Sequence, residues 1–267
     1  MSTGGVFGFM RDEDGERLRP FLDQYRAVRK ADGHHVRDAD AYYALPAVRS
    51  GDPNALEWRI RHESFTSAVR CTALATSAPR RVLDAGAGNG WLASRLSRLG
   101  HATVALDVNA DDEDGLRGGV VEKPFALVHA DFDAMPFAPA QFDVVVMNAS
   151  LHYAPNPERT LFGMSLLLRS GGALVVMDSP TFEDASHGEA MVKGQNDGLR
   201  KKYGIADPVT PGVGFLTFDA LQRIADRLGR RTQYVASVGP LSWQMRRTWS
   251  ARRLGRSPAT FGTWVAQ

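Results

Sequence analysis

Short apolar runs alternate with amphipathic stretches from residue 81 onward, and this alternation is the clearest pattern in the chain. The runs occupy residues 81–85, 102–107, 125–130, 142–148 and 172–178. Because their apolar positions are nearly continuous, they are typical of parallel strands buried on both faces. The segments WLASRLSRLG, after residue 90, and NPERTLFGMSLLLRSGG, which ends at residue 172, predict connecting helices.

This order of elements predicts an α/β fold, a doubly wound Rossmann-like sheet of seven strands that is mostly parallel. A helix over 218–229 precedes the two final apolar runs, TQYVASVG and ATFGTWVAQ. We expect these two runs to form a terminal antiparallel strand pair.

The flanking segments differ from this core in their pattern of apolar residues. Residues 1–78 show no clear strand; apolar spacing predicts helices over 15–30 and 54–75, with a loop between them. We therefore expect an N-terminal helical lid, 1–78, and a Rossmann-like core, 79–267. The polar, glycine-rich segment 179–215 follows a strand directly and predicts a second lid inserted into the core.

Composition excludes several classes of protein. The 32 basic and 30 acidic residues give a net charge of +2, so the whole chain is not a nucleic-acid polycation. Cys71 is the only cysteine, which excludes an intrachain disulfide and a cysteine-based zinc site. Without a signal-like N-terminus or a run near the ~18 apolar residues of a membrane helix, we expect a cytoplasmic protein, a monomer or homodimer.

Three glycines at alternate positions, Gly86, Gly88 and Gly90, separate the first core strand from the helix after it. Glycine lets the backbone adopt left-handed dihedrals and approach a ligand closely. Ligands of such sheets bind outside the carboxyl ends of the strands, so the glycine loop predicts a binding site. The pattern G-x-G-x-x-A, from Gly88 to Ala93, also fits a dinucleotide site, but on its own it is weak.

Two acidic residues favour a different ligand. Asp84 stands two residues before Gly86, where it would repel a pyrophosphate but could accept loop hydrogen bonds or meet a cationic group. Asp107 ends the second core strand, where a carboxylate can bind both hydroxyls of a ribose.

Together VLDAGAGNG, VALDVN, HADFDAMPF and LLLRSGGALVVMD resemble the motifs of the class I S-adenosylmethionine-dependent methyltransferases, in the small-molecule, ubiquinone-biosynthesis-like (type 11) branch. The resemblance covers about residues 80–180. It implies S-adenosylmethionine as cofactor and O-, N- or C-methylation of a small-molecule acceptor. It also implies that Asp131 and Phe132 bind the adenine. The cofactor-binding residues that we predict are Asp84, Gly86, Ala87, Gly88, Gly90, Asp107, Val108, Asp131, Phe132, Asn148, Ala149, Tyr42 and Arg61.

A general base is needed only if the acceptor must lose a proton. The candidates near the carboxyl ends of the strands are His152, Asp178 and His187, and each is equally compatible with a packed or solvated residue. Tyr42 and Arg61 belong to the N-terminal segment, which in this family often folds over the cofactor; a helical core and a solvated arginine explain them equally well.

Three other functions remain open from the sequence. The arginines and Trp249 in RRTWSARRLGR, residues 246–256, could bind RNA, although NASL stands where nucleobase amino-methylating enzymes carry an N-P-P-Y-type motif. An NAD(P)-dependent oxidoreductase fits the glycines, yet no tyrosine has a lysine four residues later. A non-catalytic S-adenosylmethionine-binding protein would have the same fold.

Overall fold

The computed structural model describes residues 5–34, 38–49, 51–75, 78–118 and 123–267. The strands of these residues are β1 Val6–Gly8, β2 Arg81–Ala85, β3 Ala102–Asp107, β4 Ala126–His129, β5 Phe142–Asn148, β6 Leu168–Met177, β7 Thr181–Phe182, β8 Leu216–Thr217, β9 Thr232–Ala236 and β10 Gly262–Ala266. Eight of them form the main sheet in the order β1-β4-β3-β2-β5-β6-β10-β9, and β7 pairs with β8 in a small second sheet.

Helices cover the main sheet and its carboxyl edge. They are α1 Asp12–Ala31, α2 Ala39–Ala44, α3 Ala55–Cys71, α4 Trp91–Arg98, α5 Pro157–Leu166, α6 Ala185–Tyr203, α7 Phe218–Leu228 and α8 Leu241–Arg253. Short 3-10 turns span Ala73–Ala75 and Leu151–Tyr153.

The predicted doubly wound α/β fold is confirmed, but the main sheet formed by the described residues has eight strands rather than seven. Neighbouring strands from β1 to β6 are parallel, and β10 runs antiparallel between β6 and β9. The additional strand, β1, pairs with β4 at the edge of the sheet, so the expectation of no strand in residues 1–78 was wrong. Three half-buried or exposed residues leave no apolar run for a pattern to detect.

Alternate side chains of the central strands supply two cores. Val145 and Met147 of β5 pack on one face of the sheet, whereas Val144 and Val146 pack on the other. Burial on both faces is the reason that the strand reads as a continuous apolar run. The chain winds from β2 outward through β3 to β4 and then returns to β5 beside β2, so connections leave β2 and β5 in opposite directions and open a crevice between them.

Two local expectations were wrong. The segment expected as a loop before α3 contains α2, and α5 ends at Leu166 rather than at the paired glycines, because β6 already begins at Leu168. The inserted segment 179–215 contains the 19-residue helix α6 despite its glycines. One of these, Gly188, is needed there, since a Cβ at this position would overlap the ring of Phe215. The division into lid and core stays a prediction.

Candidate functional site

A cavity of about 440 Å³ lies at the carboxyl ends of β2, β3, β5 and β6. The loops that follow these strands line it, together with residues of α1, α3 and α6. Eleven of the predicted site residues contribute to the lining: Arg61, Gly86, Ala87, Gly88, Asp107, Val108, Phe132, Asn148, Ala149, His152 and Asp178.

The glycine loop has the left-handed backbone that the sequence predicted. Gly86, Gly88 and Gly90 have φ angles of +79°, +55° and +76°. A Cβ on Gly86 would lie 2.7 Å from Ser150 Oγ and closer still to its Cβ, whereas one on Gly88 would meet nothing nearer than 3.9 Å. Gly86 is therefore required by close packing within the protein as well as by its φ angle, while Gly88 leaves the backbone open toward the cavity.

Asp107 is held by the backbone at the end of β3. Its Oδ2 accepts a hydrogen bond from Gly88 N and its Oδ1 from Asn109 N, both at 2.7 Å. Burial raises the pKa of this carboxyl to about 6, although these hydrogen bonds favour the ionised form. The carboxylate is thus ionised at neutral pH and fixed in one orientation beside the glycine loop.

Backbone strain and unpaired acceptors occur together on the β5 and β6 side of the cavity. Ala149 and Asp178 have φ angles of +50° and +52°, in the region that favours glycine. Among the described residues, Asn148 Oδ1 and Asp178 Oδ2 are buried without a hydrogen-bond partner. Such features concentrate at functional sites.

Asp178 has two different oxygen environments. Its Oδ1 accepts a hydrogen bond from Ser64 Oγ at 2.5 Å, while Oδ2 is the unpaired atom. Burial raises the pKa of the Asp178 carboxyl to about 6. The side chain therefore has one oxygen held by Ser64 and a second, buried oxygen without a hydrogen-bond partner among the described residues.

His152 lines the same cavity as a neutral ring at pH 7. Burial lowers its pKa to about 4. Its Nδ1 lies 3.2 Å from Ser179 Oγ, and its ring centroid is 4.2 Å from that of Tyr153. The imidazole is thus held between a hydroxyl and an aromatic ring.

Asp84 lies behind the loop rather than on the cavity surface. The carboxyl is fully buried, its Oδ2 accepts a hydrogen bond from Ala93 N of α4 at 3.1 Å, and burial raises its pKa to about 7. Among described atoms, Oδ1 has no hydrogen-bond partner.

Four further predicted site residues are also outside the lining. Asp131 binds Arg17 Nη2 at 2.7 Å and accepts a hydrogen bond from Asp133 N at 2.9 Å. The buried Tyr42 hydroxyl donates to the carbonyl oxygen of Asn89 at 3.0 Å. Gly90 precedes α4, and His187 lies on α6. Their roles at the site stay predictions.

The N-terminal helices contribute residues that the sequence pattern did not identify. Those from α1 are Phe21, Leu22, Tyr25, Val28 and Arg29, and those from α3 beside Arg61 are Glu57 and Trp58. Arg29 binds both carboxylate oxygens of the buried Asp114, at 2.6 and 3.0 Å. The four-residue spacing of Phe21, Tyr25 and Arg29 indicates that they share one helix face. That spacing does not indicate which part of the protein this face packs against.

Comparison with known proteins identifies relatives of the central segment. Residues 83–176 match the family described as methyltransferase domain. An uncharacterised methyltransferase of Mycobacterium tuberculosis is 34% identical over 96 residues, which are 36% of this chain and 49% of that protein. The ubiquinone/menaquinone biosynthesis C-methyltransferase of Vibrio vulnificus is 30% identical over 117 residues, 40% of this chain and 45% of its own length.

The chain spans about half the length of these curated relatives. Among solved structures, a plantazolicin methyltransferase in complex with a monoazolic desmethylPZN analog and SAH has a TM-score of 0.56 at 12% identity. The likeness covers 95% of this chain and 93% of that one. At this identity the structural similarity shows the fold.

Proposed function

We propose that the whole protein methylates a small-molecule acceptor. The premise is that the chain belongs to the class I S-adenosylmethionine-dependent methyltransferases through residues 83–176. The observation that carries the proposal is the cavity over the glycine loop, with Asp107 fixed at one side and two unpaired acceptors at the other. No described helix is both long and apolar enough to cross a membrane.

The residues of the cavity fit S-adenosylmethionine. The cavity volume of about 440 Å³ is within the usual range of small-molecule sites, roughly 300–1,000 Å³. The acidic residues of the lining are Glu57, Asp107, Asp114 and Asp178, against the two arginines Arg29 and Arg61, a formal excess of two negative charges. That excess suits a cofactor with a sulfonium and an ammonium group, whereas a pyrophosphate would be repelled.

In this proposal each part of the chain has a defined task. Asp107 binds the ribose hydroxyls, and the backbone of Gly86 and Gly88 approaches the amino acid end. Asn148 Oδ1 accepts a hydrogen bond from a donor of the bound molecule. When bound, the cofactor supplies an electrophilic methyl group on sulfur, so the protein's main contribution is alignment of the acceptor with that group.

Asp178 and His152 are the groups available to take a proton from the acceptor. Asp178 Oδ2 has no hydrogen-bond partner among the described atoms, and the carboxyl group is mostly ionised above its pKa of about 6. With a pKa near 4, His152 is a weaker base, better suited to orienting a donor through its ring nitrogen. Of the predicted candidates, Asp178 is the one whose environment best supports proton transfer, whereas His187 is not among the residues that line the cavity.

Calorimetric titration with S-adenosylhomocysteine and, separately, with NADPH tests the proposal. Micromolar or tighter binding of the first and none of the second is expected. The reverse result would favour the oxidoreductase alternative. Binding of S-adenosylhomocysteine without methyl transfer to any acceptor in a broad screen would favour the non-catalytic alternative.

Asp107→Ala is expected to weaken S-adenosylhomocysteine binding by about 1–3 kcal/mol, because the ribose hydroxyls lose their acceptor. Asp112→Ala, whose side chain is 80% exposed in the same segment, is the matched control and leaves affinity unchanged. Equal affinities in the two variants would show that the ribose is not bound at Asp107.

Cytoplasmic location and a monomeric or homodimeric state belong to the same proposal. A lone, half-buried Cys71 is compatible with a reducing compartment. RNA as a substrate is the alternative that the arginines of α8 support.

A further inference from the structure

A second cavity of about 420 Å³ adjoins the first on the side of α3 and α8. Five residues line both cavities and so form the boundary between them: Glu57, Arg61, Ala149, Asp178 and Phe261. The remaining lining is supplied by Pro53, Asn54, Leu56, Ile60 and Trp243.

The far wall of this cavity is a fixed aromatic surface. Arg247 Cζ lies 4.1 Å above the ring centroid of Trp243, and Gly239 packs so closely that a Cβ there would lie 2.7 Å from Ile60 Cδ1. Glu63 of α3 accepts hydrogen bonds from Val238 N and Gly239 N at 2.9 and 3.1 Å, which ties the segment before α8 to α3. These contacts hold the indole in place.

The boundary of the cavity is polar and carries one uncompensated negative charge. Arg61 forms an ion pair with Glu57 and also favours the ionised form of Asp178, so these three side chains leave a formal net charge of −1 among the lining residues. Asp178 is 7% exposed, and its unpaired Oδ2 belongs to a residue that lines both cavities. A buried acceptor without a partner has a free-energy cost that a donor on a ligand would remove.

We propose that the second cavity binds the methyl acceptor, and that the acceptor is an amine with a flat, apolar body. The body lies against Trp243, Ile60 and Leu56, and the amine nitrogen donates to Asp178 Oδ2 at the boundary with the first cavity. A carboxylate in place of the amine is repelled by Asp178. The inference rests on the proposed function for its assignment of the first cavity to the cofactor.

Tryptamine and indole-3-propionate are suitable probes, because they share an indole body and carry opposite charges on side chains of similar length. Each is titrated calorimetrically into the full-length protein saturated with S-adenosylhomocysteine, so that the first cavity is filled. Tryptamine is expected to bind about tenfold more tightly than indole-3-propionate, since a charge-assisted hydrogen bond replaces a repulsion.

Two variants assign the binding to this cavity. Asp178→Asn is expected to reduce the preference for the amine to about threefold or less, because the charge is lost while the shape is kept. Asparagine is also among the residues that tolerate the left-handed backbone at this position. Trp243→Ala is expected to weaken tryptamine binding about fivefold or more through loss of aromatic contact area. Its control, Trp249→Ala, removes a 65% exposed indole from the same helix and leaves binding unchanged.

The outcomes separate this inference from the proposed function. Binding of S-adenosylhomocysteine with equal or no affinity for the two probes overturns the inference alone. Equal effects of Trp243→Ala and Trp249→Ala also overturn it. If S-adenosylhomocysteine does not bind but tryptamine binds in a Trp243-dependent way, the second cavity is an amine site and the proposed cofactor assignment fails instead.

Discussion

Glycine is required at position 86 for two reasons, the backbone conformation and the close packing of a neighbouring side chain, and the sequence alone does not distinguish them. The φ of +79° at Gly86 favours glycine, and its missing side chain makes room for Ser150 from the loop after β5. Gly171, by contrast, has a φ of +73° and no other atom within 4 Å of the position a Cβ would take. The two glycines therefore form a natural comparison between backbone strain alone and strain combined with crowding.

Gly86→Ala is expected to lower the free energy of unfolding by about 2–5 kcal/mol, the sum of the left-handed penalty and overpacking. Gly171→Ala is expected to cost only the left-handed penalty, about 1–2 kcal/mol. Urea denaturation measures both. Adding Ser150→Gly to Gly86→Ala should recover the difference, and equal costs for the two single variants would contradict the packing argument.

The Asp84 carboxyl is expected to make stability depend on pH. Burial raises its folded pKa to about 7, above the ordinary value of 3.8, so the folded state binds more protons than the unfolded state between these values. Its contribution to stability is therefore full below about pH 4 and is lost as the pH rises to about 7. Between pH 5 and pH 8, the melting temperature of Asp84→Asn should fall by less than that of the native protein.

Calorimetric melting at the two pH values measures this difference. Asp112→Asn is the control, since that side chain is 80% exposed, and it should follow the native protein. An Asp84→Asn variant with the native pH dependence would show that this carboxyl does not titrate in the expected range.

At the scale of elements, α1 is attached to the carboxyl edge of the sheet by charge pairs. Arg26 binds Asp111 at 2.7 Å, and Arg29 binds Asp114 at 2.6 Å. The Arg29 and Asp114 side chains are 18% and 3% exposed, whereas Lys30 and Glu113, 3.6 Å apart, are 65% and 59% exposed. The buried pair is therefore the one on which the position of α1 depends.

Arg29→Leu is expected to lower the free energy of unfolding by about 3–5 kcal/mol, because Asp114 is left buried without its countercharge. Lys30→Gln is expected to change it by about 1 kcal/mol or less, as solvent screens an exposed pair. Denaturant unfolding without ligand measures both, and faster hydrogen exchange in α1 should accompany the first. Similar losses from both substitutions would show that α1 does not depend on the buried pair.

At the scale of the whole molecule, a net charge of +2 conceals a strong segregation of charge. Residues 107–114 contain five acidic residues, whereas residues 227–267 contain eight arginines and no acidic residue. The acidic segment is partly neutralised by α1, but Arg246, Arg252 and Arg253 of α8 are exposed. Arg247 differs from them because it stacks on Trp243 beside the second cavity.

Replacing Arg246, Arg252 and Arg253 by Gln is expected to abolish any RNA binding at low salt and to leave S-adenosylhomocysteine affinity unchanged. Binding that depends on arginines alone weakens steeply with salt, so the native protein should bind RNA negligibly at about 0.2 M salt. Filter binding across a salt series measures this. Tight, sequence-selective RNA binding that persists at that salt concentration would favour the RNA alternative.

The sequence alone determined the central sheet and the glycine loop, because both follow from local patterns. Strand burial on two faces produces continuous apolar runs, and a left-handed turn at a strand end selects glycine. For the same reason, the end of β3 and its carboxylate, Asp107, could be located without a structure. Local pattern failed for β1, whose pairing with β4 depends on a contact between residues over a hundred positions apart.

Only the tertiary structure decided which side of each residue faces the ligand and what lies opposite. Asp84 and Asp107 both follow apolar strand residues, yet one faces α4 and the other lines the cavity. The second cavity exists because α3 and α8, far apart in the chain, pack beside Asp178. Sequence spacing specifies which face of a strand or helix a side chain occupies. A pocket depends instead on long-range packing between elements, and no local pattern encodes that packing.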